Sequence, residues 1–310
     1  MADLAPSLTS ILLPRLGQEA SVAGGIRQWL ISEPYTASIS GVSNVITLHG
    51  INLAKLIKYI AFDYERFSLS SRESFSISIL ESQHHNLISW PMIKVYYAAF
   101  FAAHAIMRAS GAGIVKVERQ QALMIDQVVS AASGAPANFS AGMYQYSIIE
   151  NVAGQIEIEL KTHNSGTGVH DGFWRSFLTF LDERASNAVS TGAAGASDFV
   201  AGASELRPAL QGWLSARRND INYQHAFGVW FPVVKSKKSN HYVRSLVFKP
   251  SRSIDVTIGA SEVESFLNVS QFLSCLNCEI GEFLSARSPG RASFGAKWRK
   301  FGNLYPHSVL

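Results

Sequence analysis

The sequence predicts a mainly helical protein, and three observations carry that expectation. Apolar residues recur at helical spacing through most of the chain, Ala, Ser and Gly are abundant, and 47% of residues are apolar against 16% charged. With 310 residues and that balance the chain can bury a sizeable core, and small side chains suit closely packed helices. No repeat is visible at solenoid periods, so the elements are read once through from the start.

Residues 1–45 are rich in Ser, Gly and Pro without a sustained period, and form an extension whose structure the sequence leaves open. From Ile51, the spacing of Leu53, Leu56, Ile57 and Ile60 predicts a helix to about Tyr64. Ser89 is a good N-cap, and Pro91 sits near the first turn, where a missing N–H costs nothing. The helix it opens, WPMIKVYYAAFFAAHAIMRASG, is apolar on nearly every face, so it is expected at the centre of the bundle. Further helical patterns span about Glu118–Ala132 and about Met143–Lys161, and a shorter one, GFWRSFLTFLDERA, begins at Gly172. STGAAGAS, residues 190–197, is the clearest flexible connector and is read as a long surface loop. Pro208 then sits where a helix is expected to begin, with Leu210, Trp213, Leu214, Arg217 and Ile221 as its stripe.

After Ala226 the composition changes. FGVWFPVV, HYVRSLVFK and IDVTI are β-branched and aromatic, with SKKSN as a hairpin turn, so a small β excursion is expected at 227–258. The last helix opens on a capping box, Ser261 and Glu264, and Val263, Phe266, Leu267, Leu273, Leu276, Ile280, Phe283 and Leu284 mark its apolar face. The expected organisation is a helical domain at 46–287 that includes the β excursion, followed by a basic tail at 288–310.

Several function classes are disfavoured. The opening MADLAPSLTSILLPRL has no basic run before its apolar stretch and contains Asp3, Pro6 and Pro14, a poor signal peptide. The run Trp90–Met107 is short for a membrane span and carries Lys94 and His104. A soluble, cytoplasmic protein without membrane contact is expected. Cys275 and Cys278 lack a second pair to complete a zinc site and are read as core-facing thiols. No P-loop, GxGxxG, HExxH or GxSxG motif occurs. His84 and His85 are adjacent and diverge on any regular element, His163 and His170 flank a glycine-rich turn and are read as structuring it, and His104 is read as a hydrogen-bonded core residue. No metal and no cofactor are expected.

Charge is separated along the chain. Residues 217–252 hold eight Lys or Arg against Asp220 alone, and everything after Glu282 holds five against none, so the rest is net negative. That separation suits a polyanion on a basic face, and Lys235, Lys237, Lys238, Arg244, Lys249 and Arg252 are spaced to track phosphates rather than to read bases.

The segment RRNDINYQH, residues 217–225, concentrates a guanidinium, amides, a phenol and an imidazole after apolar turns. At about 100° per residue from Leu210, the apolar stripe centres near 0°, with Arg218 at about 80°, His225 at about 60° and Asn222 at about 120°. Polar groups at the margin of an apolar stripe suit a cleft or a subunit seam. Arg218-Asn219 followed by His225 resembles the motif of the HEPN ribonucleases and toxins, and the central helix is similar to the YYAAFHAARALL type of helix that precedes the motif in many members. The resemblance covers roughly residues 50–227 and the final helix. It implies a HEPN-like bundle and a metal-independent endoribonuclease with Arg218, Asn219 and His225 as catalytic residues, supported by Asn222 and Tyr223. It also implies RNA as substrate, a homodimer that builds the cleft from two motif helices, and a toxin or antiviral role with a restraining antitoxin. The alternative is an inactive HEPN scaffold or the binding partner of a nucleotidyltransferase antitoxin.

Overall fold

The computed structural model describes residues 13–16, 24–40, 45–84, 88–134, 138–163, 168–224, 262–288, 290 and 293–304. They are mainly helical, with one five-stranded antiparallel sheet. In chain order the elements are α1 (Leu13–Leu16), α2 (Ile26–Ser32), β1 (Thr36–Ser40), β2 (Val45–His49), α3 (Leu53–His84) and α4 (Ser89–Ala109). Then come β3 (Ala112–Val117), α5 (Arg119–Ser133), β4 (Gly142–Glu150), β5 (Ile156–Thr162), α6 (Val169–Ser190) and α7 (Ala196–Pro208). A π-type turn at Ala209–Trp213 leads to α8 (Leu214–Tyr223), and α9 (Glu262–Ala286) and α10 (Phe294–Leu304) complete the described chain.

As its composition predicts, α4 is central. It packs on α3, α9, α8, α6 and β3, and Trp90, 54% exposed near its start, is its one fully exposed large apolar side chain. α4 and its most extensive partner, α3, both bury small residues. Ala98, Ala99, Ala102 and Ala103 of α4 are buried, as are Ser68, Ser71, Ser76, Ser78 and Ser82 of α3. Buried hydroxyls are tolerated when they bond locally: Ser76, Ser78 and Ser82 return theirs to the carbonyls of Arg72, Phe75 and Ile79 at 2.6–2.7 Å.

The sheet runs β1-β2-β5-β4-β3 and overturns one expectation. Met143–Lys161, read as helical, is the β4–β5 hairpin, with Tyr144 opposite Thr162 and Glu150 opposite Ile156. Ile148, Ile149, Val152 and Ile156 also fit helical spacing, which explains the misreading. The deciding signal is IEIELKT, in which Ile156, Ile158 and Leu160 alternate with Glu157, Glu159 and Lys161. Its turn is set by Asn151, whose Oδ1 accepts from the N–H groups of Ala153 and Gln155 at 2.9 and 3.0 Å, and by Gly154 at φ 74°. Part of the open 1–45 region also contributes: α2, β1 and the start of β2 lie there.

Two boundaries differ as well. Residues 190–197 form a tight reversal rather than a long loop. Gly192 adopts φ 63°, the Ala193 N–H reaches the Ala188 carbonyl at 2.9 Å and the Gly192 N–H that of Val189 at 3.1 Å, a Schellman cap that folds α7 back on α6. Pro208 closes α7 instead of opening the next helix, because the break falls at Gly212, φ 102°.

Residues 294–304, expected within a tail, form a helix packed on α9 and α3. Trp298 is 1% exposed, and the buried Arg72 of α3 lies 4.4 Å over its ring while donating to its carbonyl at 3.0 Å. The 227–258 excursion and Ser261 lie outside the described residues.

Gly281 of α9 meets the Trp298 ring so closely that an added Cβ would stand 2.5–2.9 Å from three of its atoms. Alanine gains about 1 kcal/mol of helix propensity, but the buried indole is fixed by its bond to Glu282 at 2.6 Å and cannot retreat. Gly281→Ala is therefore expected to lose about 1–2 kcal/mol net, read from the urea midpoint.

Candidate functional site

Three helices bring polar groups to one end of the core. Tyr96 and Tyr97 come from α4, His170 and Trp174 from the first turns of α6, and Ser215, Arg218 and Asn219 from α8. Gly212 sets the direction of α8. Its φ of 102° is one that L side chains rarely adopt, and an added Cβ would collide with the Asp171 carboxylate, which holds Arg175 at 2.9 Å. Because this break separates Leu210 from Arg218, the helical wheel drawn from Leu210 does not apply. Within α8 itself Leu214, Ser215 and Ile221 are buried and Arg218 and Asn222 half-buried, so Arg218 still lies at the edge of the packed face.

The Arg218 guanidinium donates to the Tyr97 hydroxyl at 2.7 Å and to the Asn219 amide oxygen at 2.9 Å. It lies 5.6 Å from the Tyr97 ring centroid and 5.5 Å from that of Tyr223. It makes no ion pair with a carboxylate among the described residues, and its buried Nε has no partner. Arg217, its neighbour, is instead paired with Asp220 at 3.0 Å and Glu262 at 2.8 Å. One of the two adjacent arginines thus ties α8 to α9, while the other sets its charge among aromatic side chains.

The imidazole in this cluster is His170, which the sequence suggests as a loop-structuring residue. His170 lies in the first turn of α6, half-buried, with its ring 4.7 Å from Phe100 and 6.0 Å from Tyr97. Its Nδ1 is 3.1 Å from the Tyr96 hydroxyl, which accepts from the Trp174 indole N–H at 3.0 Å. Burial, and then the positive charge of Arg218, hold His170 below the usual imidazole range, so it is neutral at pH 7. The pointer in the sequence was HDGFW: His170 and Trp174, four apart, share a helix face.

Of the predicted residues, Arg218, Asn219 and Tyr223 come together, and Asn222 is half-buried on the same helix. His225 lies outside the described residues, as do Lys235, Lys237, Lys238, Arg244, Lys249 and Arg252. Among the described histidines, His163 and His104 have structural partners. His163 meets Ser176 at 3.1 Å. His104 accepts at Nδ1 from Arg108 at 3.0 Å, and because arginine only donates, the imidazole is neutral with its proton on Nε2. Cys275 is buried and Cys278 half-buried against the core, and burial pushes the Cys278 thiol up to about 12. No cluster of three or more metal-ligating side chains occurs among the described residues, and no described helix is long and apolar enough to cross a membrane. No family model matches the chain, and no curated protein or solved structure matches it either.

His104, His163 and His170 are all held below the ordinary value, with burial the largest cause in each. The unfolded chain takes up protons near pH 6.5 while the folded imidazoles do not, so stability is complete above about 6.5 and falls as the pH drops below it. Denaturation at pH 7.5 and 5.5 should show that loss. It should be smaller in His104→Gln, whose amide oxygen still accepts from Arg108.

Proposed function

We propose that this protein is a metal-independent endoribonuclease of HEPN type, acting through Arg218 and His225. The observation that carries the reading is the half-buried Arg218 guanidinium, held by Tyr97, without a carboxylate partner among the described residues and beside a neutral imidazole. RNA supplies its own nucleophile, the 2′-hydroxyl. The protein must help remove that proton, stabilise the charge that builds on the phosphoryl oxygens and protonate the departing 5′-oxygen. Arg218 serves the developing charge, because a guanidinium holds two phosphate oxygens at once. His225 exchanges the protons, and Asn219, bonded to Arg218, is a positioning residue. His170 enters as a second imidazole that the sequence reading did not include. The basic residues from Lys235 to Arg252 carry the RNA backbone, and the products are a 2′,3′-cyclic phosphate and a 5′-hydroxyl.

Arg218 and His225 start about 10 Å apart along an ideal helix, which favours a site composed across a homodimer. A toxin or antiviral role, with an antitoxin as regulator, follows from the family reading alone. A second reading, an inactive HEPN scaffold, is favoured by one observation: Arg218 already spends two donors inside the chain, on Tyr97 and Asn219.

Purified protein incubated with total RNA in excess chelator separates the two. Under the enzyme reading cleavage proceeds, and Arg218→Ala and His225→Ala each slow it by about a hundredfold or more with unchanged circular dichroism. Wild-type rates in both variants, or loss of cleavage on chelation alone, would sink the assignment. Mixing the two inactive variants tests the composite site, since heterodimers with one intact pairing recover part of the rate and isolated monomers do not.

A further inference from the structure

A second site lies away from Arg218, where α2, α3, α4 and β3 enclose a cavity of about 480 Å³. Four permanent cations line it, Arg27, Arg66, Arg108 and Lys116, against one carboxylate, Asp63. That carboxylate is committed: it accepts from the Ile26 N–H at 3.0 Å and pairs with Arg66 at 3.2 Å. Beyond the lining, Glu118 takes Arg27 at 2.7 Å and lies 4.0 Å from Lys116. Counting both acids, two positive charges are left without a counter-charge.

The floor is Arg108, 3% exposed. Its guanidinium donates to the Ile114 carbonyl at 2.8 Å and to His104, lies 4.4 Å from the Phe67 ring, and meets no carboxylate among the described residues. A cation so enclosed costs several kcal/mol unless negative charge reaches it, and its Nε is a buried donor without a partner. Nearby, the Tyr146 hydroxyl is also buried and unpartnered. The rest of the wall is mixed, with the polar Gln28, His104 and Gln121 beside an apolar side made by Phe62, Phe67, Val115 and Met143.

We propose that this cavity binds a small phosphomonoester carrying an aromatic or apolar group, a ligand of nucleoside monophosphate size. At pH 7 a phosphomonoester carries nearly two negative charges, which matches the excess, and arginine forks fit its oxygens. The volume exceeds what a phosphate needs and falls in the range of small-molecule pockets. The site stands apart from the ribonuclease reading, and neither depends on the other.

The test is calorimetric titration of the full chain with AMP, GMP, CMP and UMP, and with adenosine and inorganic phosphate as controls. Arg66→Gln and Lys116→Gln are made together, because both side chains are exposed and their loss leaves Arg108 and the fold in place. At least one nucleotide should bind more tightly than both controls, and the double variant should weaken it about tenfold or more with an unchanged circular dichroism spectrum at the titration temperature. Four outcomes would each overturn the proposal: no nucleotide binds; adenosine binds as well as AMP; phosphate binds as well as every nucleotide; or the double variant binds as the wild type does.

Discussion

Burying α4 on all sides is the constraint from which most of the architecture follows. A helix of 21 residues that is apolar nearly all round must be covered by other elements. The few polar groups on it must find partners where they stand. Lys94 reaches Glu81 of α3, His104 and Arg108 bond to each other, and Tyr96 links the Trp174 indole to His170. Tyr97 lies at the boundary of this covered surface, where it meets Arg218. The candidate site is therefore located by where the covering of α4 stops.

The same constraint explains which elements were legible in the sequence. The central helix has a composition that only burial on nearly every face satisfies, so composition places it. In contrast α9, read as amphipathic, is buried on every side from Val269 to Asn277, with Ser270, Gln271, Ser274 and Asn277 included. The β4–β5 hairpin was misread because its apolar residues satisfy two periods at once, and the alternation in Ile156–Leu160 had to be weighed against spacing over a longer window. The helix at Phe294–Leu304 was hidden by its charge. Lys297, Arg299 and Lys300 suggest a solvated tail, while the residue that docks it is Trp298, enclosed by α9 and Arg72.

At the candidate site Arg218 and Asn219 stand out in sequence because polar groups crowd one helix. His170 does not. Its relation to Arg218 is made by packing α6 and α8 against the same two tyrosines, 48 residues from one histidine to the other arginine along the chain. The cationic cavity is less legible still, since Arg27, Arg66, Arg108 and Lys116 come from four elements and none belongs to the basic stretches that dominate the charge profile. Composition finds clusters of charge along the chain, and only the fold finds clusters in space.

The pairing of Arg72 with the Trp298 carbonyl spans 226 residues. On a ribosome adding about 5–20 residues per second, roughly 10–45 s separate the synthesis of the two partners. During that interval α3 has a side of the core in place without its cover, and the seat of Trp298 is open apolar surface. The helix that carries Trp298 is therefore the piece that closes this side of the core.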